Sequence, residues 1–308
     1  MKSSNIGGQA VMEGIMMRHK DKYSIAVRRP DNEIELKVED YKCVFGNAKF
    51  LKYPLIRGVV SFVDSLVVGT KCLMYSAEIA GDEEDEEDKQ KNAALSEEEL
   101  AAKKAKEDKQ FKWLLYVTVA VSIVVSVAAF MLLPYALASL CRRVGASEFA
   151  VTIVEAFVKL ALFMGYMLLI SRMKDIQRTF MYHGAEHKSI YCYENDLELT
   201  VENAKKFGRL HPRCGTNFLF IVMFTSIILF SFFGWPNPLL RVAIRIICIP
   251  IVAGIAYEII KFLGKYNNIL SKIVAYPGMM MQKITTKEPD DEQLEVALAA
   301  LKAALNEK

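Results

Sequence analysis

Long apolar runs and short alternating stretches divide the chain. From Trp113 to Leu140, and again from Cys214 to Leu240, no charged residue occurs. Each run exceeds the roughly 20 residues that a helix needs to cross about 30 Å of hydrocarbon, so each predicts a transmembrane helix. Two further apolar segments, FAVTIVEAFVKLALFMGYMLLI at 149–170 and VAIRIICIPIVAGIAYEIIKF at 242–262, have spanning length but carry Glu155 and Lys159, and Arg245 and Glu258. Ionisable groups at such depth face protein rather than lipid, so these segments are expected to span inside a bundle. Glu155 and Lys159 are also spaced for an ion pair along one helix.

Other periods rule the ends of the chain. KYSIAVRRPDNEIELKVEDY alternates apolar and polar residues on either side of RPDN, with Ile34, Leu36 and Val38 on one face, and predicts a β-hairpin with Pro30 preset for its turn. The preceding GGQAVMEG reads as a flexible loop. Residues 55–80 mix apolar stretches with Arg57, Asp64 and Lys71 and predict a helix lying against the membrane face or the spans, with a re-entrant segment as the alternative. Seven consecutive acids at 82–88 precede an alanine- and lysine-rich stretch that opens with the capping-box pattern Ser96 to Glu99. That composition is a solvated linker with some helix, a cation-binding role for the acids being the alternative. After Pro289, acids in the first turn and a stripe of Leu294, Leu298, Leu301 and Leu305 predict an amphipathic helix docked on the protein's own cytoplasmic domain; a partner or the bilayer is the other candidate surface.

The expected organisation is thus an N-terminal α+β region at 1–80 with a membrane-associated helix and a charged linker at 81–110. A four-helix transmembrane region at 111–264 then encloses a histidine loop at 171–217, and a C-terminal segment follows at 265–308. The fold class is a polytopic α-helical membrane protein of about four transmembrane helices with a smaller α+β cytoplasmic region.

Charge sets the orientation. The segment between the second and third spans carries Arg172, Lys174, Arg178, Lys188, Lys205, Lys206, Arg209 and Arg213, whereas the links at 141–148 and 235–241 carry two and one basic residues. The basic segment is therefore expected in the cytoplasm, and four spans put both termini there too, in a multi-pass protein of the cell membrane. The N-terminus lacks the apolar core of a signal peptide, so no cleavage is expected. Six cysteines without a C-x-x-C pair fit a reduced interior. A net charge of +3 is too small to point to nucleic acid.

Chemistry gathers at HGAEHKS, residues 183–189, which holds two of the four histidines. On a helix His183, Glu186 and His187 share one face. Two imidazoles one turn apart can seat a divalent ion, and H-x-x-E-H is the inverzincin pattern, in which the glutamate is a base rather than a ligand. Zinc is the expected ion. Membrane depth ranks the further ligand: His211 in HPRCGTN first, Glu258 second, then Cys214, because thiolate suits zinc, and Glu13. Arg213, Asn217 and Lys188 are candidates for an anionic substrate group or a polarised carbonyl.

The stretches GGQAVMEGIMMR (7–18), YHGAEHK (182–188), HPRCGTNF (211–218) and PGMMMQKITTKEPDD (277–291) resemble the signature blocks of the YqhQ family, multispanning bacterial proteins of unknown function described as predicted metal-dependent enzymes. The resemblance covers nearly the whole chain. It implies a bacterial cell-membrane location and a metal at His183, Glu186, His187 and His211, and it implies no particular reaction. It also draws attention to Gln9, Glu13, Arg18, Gln282 and Thr286, which are expected to fold over the histidines.

The leading expectation is a metal-dependent hydrolase at the cytoplasmic membrane face, with His183, His187 and His211 as ligands, Glu186 as base and Arg213 or Asn217 as electrophilic helper. Its substrate would be a peptide, such as a membrane protein, or a lipid head group. A non-enzymatic scaffold or assembly factor with a structural metal or histidine cluster is the alternative. A transporter using Glu155, Lys159, Arg245 and Glu258 is the third.

Overall fold

The computed structural model describes residues 4, 6–46, 48–81, 97–232, 238–265 and 269–306. The acids at 82–88 and Ser96 lie outside the described residues. The chain divides into two compact units, one of Met1–Gly81, Tyr166–Phe233 and Ile244–Lys308, the other of Asp82–Gly165 and Gly234–Ala243.

The first unit opens with an antiparallel meander, β1 (Gly7–Val11), β2 (Gly14–His19), β3 (Lys22–Arg28) and β4 (Ile34–Asp40), in that order. The expected hairpin is β3–β4. Its turn closes with the Asn32 N–H donating to the Arg29 carbonyl at 3.0 Å, and Asn32 takes the left-handed conformation (φ 68°) that asparagine tolerates. The expectation of a flexible loop at GGQAVMEG is corrected: Val11 pairs with Gly14 around a two-residue turn, Met12–Glu13. Ile15, Met16 and Met17 are all buried, the first and third toward one face and Met16 toward the other. A strand covered on both faces reads as a continuous apolar run, which hides the two-residue period.

Helix α1 (Ile56–Ala80) covers one face of the sheet, where Val68, Cys72, Tyr75 and Ile79 meet Val11, Met16, Tyr23, Ile25 and Val27. The other face packs on α5 (Lys174–Glu194) and α11 (Asp291–Leu305), with the five-residue α6 (Val201–Lys205) beside them. Helix α11 starts in a capping box: the Asp290 carboxylate accepts the Gln293 N–H at 2.8 Å, and the Gln293 side chain accepts the Asp290 N–H at 3.1 Å. Leu294, Leu298 and Leu301 of the expected stripe are buried and Leu305 is partly buried. Each fully buried leucine contributes about 2 kcal/mol.

Below the sheet, α7 (Gly215–Ser231) packs on α9 (Ile249–Lys265) and α10 (Ile269–Thr285), and the N-terminal half of α1 joins α9. Arg57 of α1 forms a bidentate ion pair with Glu258 of α9, its Nε 2.6 Å from the carboxylate. The chain before α9 forms α8 (Pro238–Ile247).

The second unit contains α2 (Glu97–Val127), a wide turn at Ala128–Leu132, α3 (Leu133–Arg143) and most of α4 (Glu148–Ile170). Pro134 lacks an N–H and crowds the carbonyl four residues back, which accounts for the wide turn just before it. Glu155 and Lys159 form the expected ion pair at 3.0 Å.

Among the described residues, three helices are long and apolar enough to cross a membrane: Ile56–Ala80, Tyr116–Arg143 and Glu148–Ile170. This revises the expected spans. The run from Cys214 gives a helix of 17 residues, about 26 Å long at 1.5 Å per residue. The run at 242–262 is interrupted at Cys248, next to the helix-restricting Pro250.

Candidate metal centre

Helix α5 is buried on almost every side from Tyr182 to Glu194, which fixes the directions of its polar side chains. His183 and His187 lie one turn apart, with ring centroids separated by 4.5 Å. Cys214 is the N-cap of α7, its sulfur accepting the Thr216 N–H at 3.3 Å. Ligand atoms of His183, His187 and Cys214 all lie within 4.8 Å of one another.

Backbone carbonyls decide which imidazole nitrogens face this cluster. His183 Nδ1 is 2.9 Å from the Thr285 carbonyl and His187 Nδ1 is 2.5 Å from the Arg209 carbonyl. A carbonyl can only accept, so in both neutral rings the proton sits on Nδ1 and the Nε2 lone pair is free. His183 Nε2 points to Cys214 Sγ at 3.0 Å. His187 Nε2 is buried with no hydrogen-bond partner among the described residues. Burial also holds the His187 imidazole below its ordinary pKa, which favours the neutral ring. Histidines that bind metals typically donate their other N–H in this way. Two nitrogens, one of them with an orphaned lone pair, and one sulfur therefore fit zinc or a similar ion.

Glu186 projects from the same helix and is buried. A Cβ at Gly8 would stand 2.5 Å from its carboxyl, so glycine lets β1 cover this group without displacing the glutamate side chain. Burial pushes the carboxyl up to about 7, against a smaller opposing effect of His183. Gly184 is needed for a similar reason. A Cβ there would lie 2.1 Å from the Lys287 carbonyl, so the glycine admits the strap that carries residues 285–289 across α5. The strap is also tied by the Lys287 N–H donating to the Phe180 carbonyl at 2.8 Å.

His211 is turned elsewhere. Its Nδ1 accepts the Arg213 N–H at 3.3 Å, and its Nε2 faces Glu194 at 3.5 Å. Gln282 holds its backbone at both ends, accepting the His211 N–H at 2.7 Å and donating to its carbonyl at 2.8 Å. Glu194 is buried and also takes the Ser4 hydroxyl at 2.7 Å and the Arg213 guanidinium. Burial by itself would raise the Glu194 carboxyl, yet His211, Ser4 and Arg213 hold it down at about 2.

The remaining sequence candidates are bound within the protein. Asn217 donates to the Pro212 carbonyl at 2.5 Å and accepts from Gln282 at 3.2 Å. Lys188 is buried against Glu288. Glu258 is held by Arg57, and Glu13 by Arg178 with the Tyr182 hydroxyl 3.3 Å away. Sequence reasoning missed Glu194, Ser4 and the two carbonyls. Glu194 had a signal: seven residues, two turns, after His187 places it on the same face of the helix.

A family model for proteins of unknown function, DUF1385, matches residues 53–307. The chain belongs to this family. The uncharacterized protein YqhQ of Bacillus subtilis (strain 168) is 37% identical over 315 residues, covering 97% of this chain and 92% of that protein. No solved structure matches the chain. The DUF1385 match takes in His183, Glu186, His187 and Cys214, whereas Gly8 and Glu13 precede it.

Proposed function

We propose that this DUF1385 protein is a multi-pass membrane protein with both termini in the cytoplasm. In this reading it holds a divalent ion, best zinc, between His183, His187 and Cys214 at the cytoplasmic membrane face, and acts there as a metal-dependent hydrolase. The observation that carries the metal reading is the pair of Nδ1–carbonyl contacts, which leave both Nε2 lone pairs beside one cysteine sulfur. Three protein ligands with a fourth position free is the pattern of catalytic rather than structural zinc. The membrane reading is supported by the long apolar helices Tyr116–Arg143 and Glu148–Ile170 and by the basic segment at 172–213; with Ile56–Ala80, whose C-terminal half covers the sheet, lying against the membrane face, an even number of spans keeps both termini in the cytoplasm.

When bound, such an ion supplies Lewis acidity. The chain supplies the rest. Glu186, covered by β1 and with its carboxyl raised to about 7, is suited to exchange a proton near neutral pH. His183 and His187 are held in the ligand tautomer by Thr285 and Arg209. Glu194 and Arg213 hold His211 in a separate charge network. A membrane protein or a lipid head group is the substrate class that suits a site at the bilayer face.

A scaffold or assembly factor is the second reading, favoured by one contact: at 3.0 Å, His183 Nε2 and the Cys214 thiol can satisfy each other without a metal. Cobalt(II) added to the purified full-length protein separates the two. The metal reading expects a thiolate-to-cobalt charge-transfer band that disappears in Cys214→Ser. A protein that folds normally and gives no band in any variant supports the scaffold. Catalysis is then read by Glu186→Gln, which should keep the cobalt spectrum yet behave like a deletion in the native host.

A further inference from the structure

Between β4 and α1 the chain presents an unusual surface. Residues 41–57 contain Lys42, Lys49, Lys52 and Arg57 and no acid. Arg57 is taken by Glu258, whereas the three lysines are exposed and form no ion pair among the described residues. Interleaved with them, Val44, Phe45, Phe50, Tyr53, Leu55 and Ile56 are exposed, Phe50 by 56% and Tyr53 by 62%. Ordinary soluble surfaces rarely gather so many large apolar side chains in so short a stretch.

Both ends of the segment are fastened to the fold. At its start, buried Asp64 accepts the Val44 N–H at 2.9 Å and the Tyr41 hydroxyl. At its end, Arg57 grips Glu258, and the Leu55 carbonyl lies against Gly254 so closely that a Cβ there would stand 2.8 Å from it. A short helical turn, Lys49–Lys52, lies between. The aromatic rings are thus displayed by a tethered segment that runs directly into α1, itself apolar and long enough to enter a bilayer.

We propose that residues 42–56 form an interfacial anchor that seats Phe45, Phe50 and Tyr53 at the head-group level of an anionic bilayer, with Lys42, Lys49 and Lys52 on the lipid phosphates. Apolar rings and one tyrosine interleaved with lysines suit this boundary, the phenylalanines toward the acyl chains and the tyrosine hydroxyl and lysine heads toward the wet side. Anionic lipid matches the uncompensated positive charge. The anchor rests on the membrane reading above, and its test keeps the two apart.

The test uses the full chain in nanodiscs of phosphatidylglycerol and phosphatidylcholine, with Trp113 and Trp235 replaced by Phe and Phe50→Trp as the reporter; Tyr53→Trp is a second reporter in case the first perturbs folding. Glu33→Trp, in the exposed β3–β4 turn, is the aqueous control. Brominated acyl chains should quench the Phe50→Trp and Tyr53→Trp reporters by about two-fold and leave the control unchanged. Replacing Lys42, Lys49 and Lys52 together by Gln should reduce the quenching in phosphatidylglycerol discs. Alkaline carbonate extraction of the same protein reads membrane embedding separately. Protein that resists extraction but whose two reporters stay as unquenched as the control would overturn the anchor while leaving the spans intact. A blue-shifted but unquenched reporter would overturn it in favour of a protein cover.

Discussion

His187 and His211 have ring centroids 5.6 Å apart and both are buried, yet their surroundings give them different work. At His183 and His187 a backbone carbonyl takes the Nδ1 proton, which leaves Nε2 as a lone pair directed into a cluster with sulfur. At His211 a backbone N–H occupies the Nδ1 lone pair, so the proton belongs on Nε2, facing the carboxylate of Glu194. The first arrangement offers ligands and the second closes a charge network. Residue type and membrane depth alone cannot tell them apart. The partner of the other ring nitrogen can.

The comparison fails most visibly if the two clusters respond alike to mutation. His187→Ala or Cys214→Ala should weaken metal affinity by more than about 100-fold, since loss of outer partners alone typically costs 10–100-fold; competition against a chromophoric chelator measures it. Arg213→Ala should instead leave affinity nearly unchanged and lower stability by about 2–3 kcal/mol, because buried Glu194 loses its guanidinium. Denaturation in detergent reads the stability, and an equal loss of metal would merge the clusters into one.

Gly184→Ala probes how the first cluster is held. Its new Cβ must displace the strap at Lys287, at about 1–3 kcal/mol. Because the same strap carries the Thr285 carbonyl, metal affinity should fall about ten-fold as well. Unchanged affinity in a destabilised variant would show that the carbonyl does not orient His183.

The smallest effect is expected where charges pair at the solvent edge. Lys37, Tyr23 and Lys71 hold the Glu39 carboxyl down at about 2. A depressed folded-state value stabilises the fold above the ordinary carboxylate range, and that contribution disappears as pH falls from about 4.5 toward 2. For so accessible a group it should stay under about 1 kcal/mol. Glu39→Gln should remove this part of the acid dependence, as read from thermal unfolding between those pH values. An effect as large as that of Arg213→Ala would mean that burial is not what separates the clusters.

Much of this was legible along the chain. The β3–β4 hairpin follows from its alternation around RPDN, α11 from the acids after Pro289 and the leucine stripe, and the one-turn spacing of His183 and His187 from helical periodicity. The β1–β2 pair was not, because Ile15, Met16 and Met17 are covered on both sides and show no alternation. Membrane depth places His211 and Glu258 ahead of Cys214, whose only further argument along the chain is that thiolate suits zinc. Depth places a residue near a plane and leaves its side chain's direction open. That direction was set by contacts distant in sequence: Arg57 on Glu258, Gln282 on the His211 backbone, and the Thr285 and Arg209 carbonyls on His183 and His187.

The most direct test of the account is metal content by elemental mass spectrometry on the folded, detergent-purified protein beside His187→Ala, Cys214→Ala and His211→Ala. The account predicts about one transition-metal ion per chain, lost in the first two variants and kept in the third. No metal in the wild type even after reconstitution, or a metal that survives Cys214→Ala and is lost with His211→Ala, would contradict it.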